Sequence, residues 1–235
     1  MKLKDKVFGL GQSLLGGVAL ALIVGCSASP TTPEISHDGL VLQDDTKFGL
    51  VYAKPGVDIR DYENFAVHHC TVAFRKNWQR DYNSSHRSSG QQIKERDIDR
   101  IKRELGEECT TFFTDALSEE PSYNLVTEWQ QGQDVLLVRP NIVNLNITSP
   151  DVSSPSMTRS YSASAGSMTL YLELIDAETS EVLVRAYDSK ADADSFVNYA
   201  NKITNRQAAD RMLKNWATRL REAMDAVMRP SASEA

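Results

Sequence analysis

Three cysteines, four histidines and one carboxylate-crowded segment are the side chains of this 235-residue chain whose types could do chemistry. A metal site needs ligands converging from one direction, and a hydrolase needs a nucleophile beside a base. His68 and His69 form the one histidine cluster, but neighbours on a strand point to opposite faces and cannot grip one ion together. HxH, HExxH and paired CxxC spacings do not occur, so no metal ligand and no cofactor are nominated. There is no G-x-S-x-G elbow, and the serines from Ser160 to Ser167 sit in a low-complexity stretch where they mean solvation. Asp97, Asp99, Glu104, Glu107 and Glu108 alternate with Lys94, Arg96, Arg100, Lys102 and Arg103. That spacing predicts a salt-bridged solvent face of a helix rather than an acid-base pair, and no catalytic residue is nominated.

The third cysteine has a different context. Lys2, Lys4 and Lys6 open the chain, and Val7 to Val24 carries no charge; a positive start before an apolar run is the grammar of an export signal. Four glycines at 9, 11, 16 and 17 make the run a poor membrane-spanning helix. It ends in Ile23-Val24-Gly25-Cys26, which resembles the lipobox of bacterial lipoproteins. The resemblance implies cleavage between Gly25 and Cys26, and a diacylglyceryl, palmitate-type lipid on the Cys26 sulfur. The alternative is an ordinary cleaved signal with a free cysteine, or an uncleaved anchor. Each buried methylene contributes about 0.8 kcal/mol, so two or three acyl chains hold a protein on a bilayer where one would not. Ser27 replaces the aspartate that, in enterobacterial sorting, favours the inner membrane, so the expected address is the periplasmic face of the outer membrane.

That compartment is oxidising, and it leaves Cys70 and Cys109 as an even pair. Cys70 falls on a strand face with Val72 and Phe74, and Cys109 on the apolar stripe of a helix. They form either a disulfide closing a 39-residue loop or two buried thiols acting as small apolar residues.

The elements that would position these groups follow from periodicity. Residues 1–25 read as signal peptide, 26–37 as a lipidated polar tether, 38–228 as one domain and 229–235 as a flexible tail. Phe65 to Phe74 alternates with apolar weight on both faces, an interior strand; Asn77 to Gln92 is almost wholly polar, a mobile loop that only Trp78 and Tyr82 could dock. Lys94 to Leu117 has helical spacing that Gly106 weakens without ending. Tyr123 to Trp129 reads as a short strand, and Val135 to Ile147 as a long one in which Pro140 calls for a bulge or an edge position. After a serine-rich loop from Ser149 to Gly166, Met168 to Ile175 and Val182 to Tyr187 form a hairpin across the turn Asp176 to Glu181. Asn205 is placed to cap a final helix running to Met228. The order predicts an α+β fold, a single antiparallel-rich sheet of about five strands with two long helices on one face.

The stretch Val51 to Tyr62 (VYAKPGVDIRDY), with His37-Asp38-Gly39-Leu40, the hairpin and the Trp216-Ala217 helix, resembles the bacterial lipoproteins catalogued as domain of unknown function 3313. The resemblance spans Asp38 to Val227 and implies fold and address but no site residues. The serine-rich insert and the polar loop after Phe74 depart from it.

Net charge is −6, and loss of residues 1–25 leaves 23 basic against 31 acidic residues, a net −8. Such a surface repels nucleic acid and offers no basic patch to anionic headgroups. The expected partners are the membrane, through the lipid, and a periplasmic or outer-membrane protein engaged by a non-enzymatic binding or scaffolding module. The other class weighed is a cell-wall or solute-acting hydrolase or carbohydrate-binding lipoprotein, which needs a pocket with convergent polar groups.

Overall fold

The computed structural model describes residues 32–87, 92–148, 150, 160–162, 166–191, 198–200 and 202–229. The chain divides into two compact units, residues 1–32 and 33–235. The first lies outside the described residues apart from Thr32, and the described fold belongs to the second.

A seven-stranded, mostly antiparallel sheet forms its centre. In chain order the strands are β1 (Val41–Gln43), β2 (Leu50–Ala53), β3 (Asn64–Val67), β4 (Thr71–Phe74), β5 (Val135–Ile147), β7 (Gly166–Asp176) and β8 (Val182–Ala191). Their order in space is β1-β2-β8-β7-β5-β3, with β4 also on β5. A separate pair, β6 (Ser160–Ser162) and β9 (Asn198–Ala200), turns part of the expected serine-rich loop into antiparallel ribbon. The helices are α1 (Trp78–Ser85), α2 (Glu95–Ser118) and α3 (Lys202–Met228).

The core lies on one face of the sheet. Leu136, Val138 and Ile142 of β5 and Leu170, Leu172 and Leu174 of β7 project from alternate positions into one cluster. Cys109, Phe113 and Leu117 of α2 join them, as do Leu213, Trp216 and Leu220 of α3. The spacing of these residues is what makes both helices amphipathic, and burying that stripe is what fixes them to the sheet. Trp216 is fully buried, and its Nε1 donates to Asp188 Oδ2 at 2.8 Å.

The hairpin and the two long helices match expectation, and several other elements differ. The Phe65 to Phe74 segment is not one interior strand but two edge strands, β3 and β4, both parallel to β5. Beyond β3 the described residues add a single bridge, Phe65 to Leu125, and that bridge is all that forms in the predicted strand 123–129. The break between β3 and β4 has a cause in Pro140. Val138 accepts from His68 N on this side of β5, whereas Val135 accepts from Ala177 N on the other. Alternation then aims the Pro140 nitrogen, which has no hydrogen to give, at the gap. Val67 pairs with Val138 and Thr71 with Asn141, so four steps on one chain oppose three on β5. The one-residue excess switches facing: Phe65 is in the core before the break, and Val72 packs on it after. A second irregularity, between Val143 and Asn146 of β5, is accommodated by Asn144 at φ 54°.

The polar segment after Phe74 is also not all loop. Trp78 anchors α1 by stacking on Phe74 with centroids 4.3 Å apart, and its Nε1 donates to Ile147 O at 3.2 Å. Asn83 closes the far end, accepting from Ile93 N at 2.7 Å and donating to Ile93 O at 2.9 Å. Tertiary contacts override a composition that would not hold a helix alone. α3 begins at Lys202, so Asn205 lies inside it rather than at its cap; no glycine or proline interrupts the chain from there to Met228. Asp97, expected on the solvent face, is buried and accepts from Lys94 N at 3.1 Å, tying down the first turn of α2.

Candidate binding face

The helices cover one face of the sheet, and the other carries rows of polar and aromatic side chains. Alternation along each strand decides which residues face this way, and the registers line them up across the strands. One row runs Leu42, Tyr52, Arg185, Glu173, Arg139 across β1, β2, β8, β7 and β5. The next runs Leu50, Tyr187, Tyr171, Asn141, Thr71 across β2, β8, β7, β5 and β4. At the far end Thr169 sits opposite Ser189, with 3.2 Å between their hydroxyl oxygens.

The first row is a chain of ions. Glu173, 2% exposed, accepts from Arg185 Nε at 3.0 Å, from Arg139 Nε at 3.1 Å and from the Tyr171 hydroxyl at 2.6 Å. Arg185 turns its other nitrogens to Asp38, with Nη1 and Nη2 donating at 3.0 and 2.7 Å in a bidentate pair. Two cations and two carboxylates alternate and cancel, which is what allows such groups to lie under partial burial. The segment carrying Asp38 is pinned as well: Tyr52 donates to Pro33 O at 3.0 Å, and Leu42 N to Glu34 O at 2.8 Å. Residues 33–37, expected as tether, thus lie against β1 and β2.

The electrostatics follow from this geometry. Burial pushes the Glu173 carboxyl up, but hydrogen bonds from Tyr171, Arg139 and Arg185 outweigh it and hold the group below its ordinary range. The Arg185 guanidinium, and then the Ser36 hydroxyl, hold Asp38 well below that range. Burial, aided by the hydrogen bond to Glu173, pushes Tyr171 up to about 12, so its hydroxyl stays a donor. Burial also raises Tyr187, whose ring lies 5.1 Å from that of Tyr171. In the second row Thr71 Oγ1 donates to Asn141 Oδ1 at 2.6 Å, and Asn141 Nδ2 to Tyr171 O at 3.4 Å. The result is a charge-balanced, pre-set platform that presents half-buried Tyr171, Tyr187, Arg139 and Asn141 and exposed Thr71, in which tyrosine and arginine are the residue types that dominate binding energy at protein interfaces.

Of the residues singled out by sequence, Gly25 and Cys26 lie outside the described residues, as do 149, 151–159 and 163–165 of the serine-rich loop. Cys70 and Cys109 are brought together as a disulfide, Cα atoms 5.9 Å apart, joining the end of the β3–β4 break to the middle of α2. Gly106 makes this approach possible: a Cβ there would stand 2.6 Å from Cys70 O. His68 Nδ1 lies 3.0 Å from His69 O, and His69 Nδ1 lies 3.5 Å from Thr110 Oγ1. Among the described residues no three or more His, Cys, Asp or Glu side chains gather as metal ligands, and no helix is long and apolar enough to cross a membrane. Tyr82 stacks on Trp78 at 5.7 Å and carries His86 on its other side at 4.1 Å, so these rings are engaged with one another. The platform escaped sequence reading because no local pattern marks it: its ion pairs join positions 34 and 147 apart in the chain. The one available signal was charge and tyrosine at the odd positions of an otherwise apolar hairpin, Tyr171, Glu173, Arg185 and Tyr187.

Comparison with known proteins gives three findings. The family described as "Protein of unknown function (DUF3313)" matches residues 36–220. No curated protein matches the chain. Among solved structures, the PelC dodecamer from Paraburkholderia phytofirmans is similar at 9% identity with a TM-score of 0.36, over 73% of this chain and 94% of that one. A protein described as a neuraminyllactose-binding hemagglutinin homolog from Helicobacter pylori is similar at 8% identity with a TM-score of 0.38, over 71% and 88%.

Proposed function

Because the chain belongs to the DUF3313 family, whose description assigns no activity, we propose its function from its own residues: it is a lipid-anchored envelope module that binds a protein partner and is not an enzyme. The anchor is acyl lipid on Cys26, after cleavage behind Gly25, and the address is the periplasmic face of the outer membrane. What supports the anchor is the basic start, the apolar run and the lipobox-like Ile23-Val24-Gly25-Cys26. The Cys70–Cys109 disulfide fits an oxidising compartment.

The observation that carries the binding role is the sheet face opposite the helices, where Tyr171, Tyr187, Arg139 and Asn141 stay half-buried and Thr71 is exposed. Its charges are neutralised internally by Asp38, Arg185, Glu173 and Arg139, so they orient and stiffen the surface without repelling an approaching protein. Tyr171 and Tyr187 supply rigid amphipathic contact area at low entropic cost.

The test is site-specific photocrosslinking in cells that produce the lipidated protein. A photoreactive residue replacing Tyr187 or Ser189 on the platform should capture one reproducible envelope protein. The same group replacing Lys214, on the solvent side of α3, should not. Equal capture from both faces, or none from the platform, overturns the proposal.

A further inference from the structure

Glu173 sits between two guanidiniums and meets both in the same way. Arg185 turns its side edge to Oε1, with Nε and Nη2 each at 3.0 Å, and Arg139 turns its side edge to Oε2, with Nε at 3.1 Å and Nη2 at 2.5 Å. A carboxylate held on the side edge leaves the end edge of a guanidinium unused, with one N–H on each Nη in the fork geometry that matches a second carboxylate. At Arg185 the end edge is filled: Asp38 accepts from Nη1 at 3.0 Å and from Nη2 at 2.7 Å. At Arg139 it is open. Among the described residues nothing accepts from Nη1, and the side chain is 40% exposed, against 9% for Arg185.

The row is therefore balanced in charge and unbalanced in hydrogen-bonding capacity. Glu173 is buried with both oxygens taken, and Asp38 accepts from Ser36 Oγ at 2.6 Å as well as from Arg185. The spare donors all lie at the β5 end, on Arg139. A carboxylate brings a single charge in a planar two-oxygen fork, and its charge-assisted bonds are roughly twice as strong as those of a neutral carbonyl. A phosphate group brings more charge and calls for a second cation, whereas Arg185 is buried and already engaged on both edges. Thr71, exposed and paired with Asn141 next to Arg139 on β5, spends its hydroxyl hydrogen on Asn141 and keeps its lone pairs for a backbone N–H.

We propose that Arg139 is the anchor of the platform and takes an Asp or Glu side chain of the partner protein on its open edge, repeating on the far side of Glu173 the pairing that Asp38 makes with Arg185. The inference rests on the partner-binding reading and deepens it by naming the group that is recognised.

The probe is a displayed library of random linear peptides, selected on the full chain and counter-selected on Tyr187→Ala, so that every peptide kept depends on the platform. Those peptides should share one Asp or Glu, and replacing it by Asn or Gln should weaken binding to the unaltered protein about tenfold. This exchange is made on the peptide, so its result does not depend on any variant folding. On Arg139→Gln the same exchange should cost less than about twofold, and Arg139→Lys should restore only part of the difference, because an ammonium offers no planar edge. Platform-dependent peptides with no common carboxylate, or an equal loss on Arg139→Gln, overturn this inference and leave the partner-binding reading standing. Failure to select any platform-dependent peptide overturns both. Tighter binding when phosphoserine takes the place of the acid overturns the assignment to a carboxylate.

Discussion

Replacing Cys70 and Cys109 together by alanine should remove a large share of the stability of the fold. The two side chains are 1% and 0% exposed, and the bridge closes a 39-residue loop that contains β4, α1 and the first half of α2. Releasing a loop of that size restores about 13 cal/mol/K to the unfolded chain, or about 4 kcal/mol at 25 °C. Truncation to alanine adds a small packing loss, since each sulfur leaves a void in the core. Urea unfolding followed by far-ultraviolet circular dichroism measures the effect. With a slope of about 2.5 kcal/mol/M, the midpoint should fall by about 1.6 M, and the slope should rise as the released unfolded chain expands. A midpoint within about 0.3 M of the parent would show that contacts around Trp78 and Ile93 already restrict the loop in the unfolded chain, and the reasoning would fail.

Three further outcomes follow from the structure. Gly106→Ala should destabilise by about 1–3 kcal/mol even though alanine is the better helix former, because the new methyl would meet the Cys70 carbonyl, which is backbone and cannot move aside; a raised melting temperature would contradict this. Arg221 is buried and donates to the carbonyls of Ala116, Glu119 and Pro121 at 2.8, 3.0 and 2.6 Å, closing the end of α2. Arg221→Met should cost about 3 kcal/mol, roughly 6–12 °C in melting temperature, and Arg221→Lys should not rescue it because one ammonium cannot span the fork; full rescue by lysine would refute that role. The pH profile has two edges. Asp38, Glu173, Asp176 and Asp225 are all held below the ordinary carboxylate range. The stability they contribute is present above the unfolded value, about 4, and is lost as pH falls below it. Tyr62, Tyr123 and Tyr171 are raised, chiefly by burial, so their contribution is present below about pH 10 and lost above it. A melting temperature that peaks at pH 4 would contradict these signs.

The elements legible in the sequence were those whose pattern is local. The stripe from Ile98 to Leu117 and the alternation from Met168 to Tyr187 each place one side of an element in the core, and both elements form. What could not be read depends on partners distant in the chain. α1 forms because Trp78 finds Phe74 and Ile147, not because its own residues favour a helix. β1 and β2 are short, at three and four residues, and gain meaning only when β8 pairs with β2. Pro140 signals a disturbance in the sequence, but its effect falls on the neighbour: β5 stays interior, and the chain beside it breaks into β3 and β4. The platform is the extreme case, because four strands must be in register before Tyr52, Arg185, Glu173 and Arg139 form a row.

The proposed anchor at Cys26 would decide what the folded body can meet. Growth of producing cells with labelled palmitate, followed by mass spectrometry of the N-terminal peptide, addresses it directly. The predicted result is a chain that begins at Cys26 and carries a diacylglyceryl thioether, with the label abolished by Cys26→Ser. An N-terminus without acyl chains, or label that persists in Cys26→Ser, would contradict it.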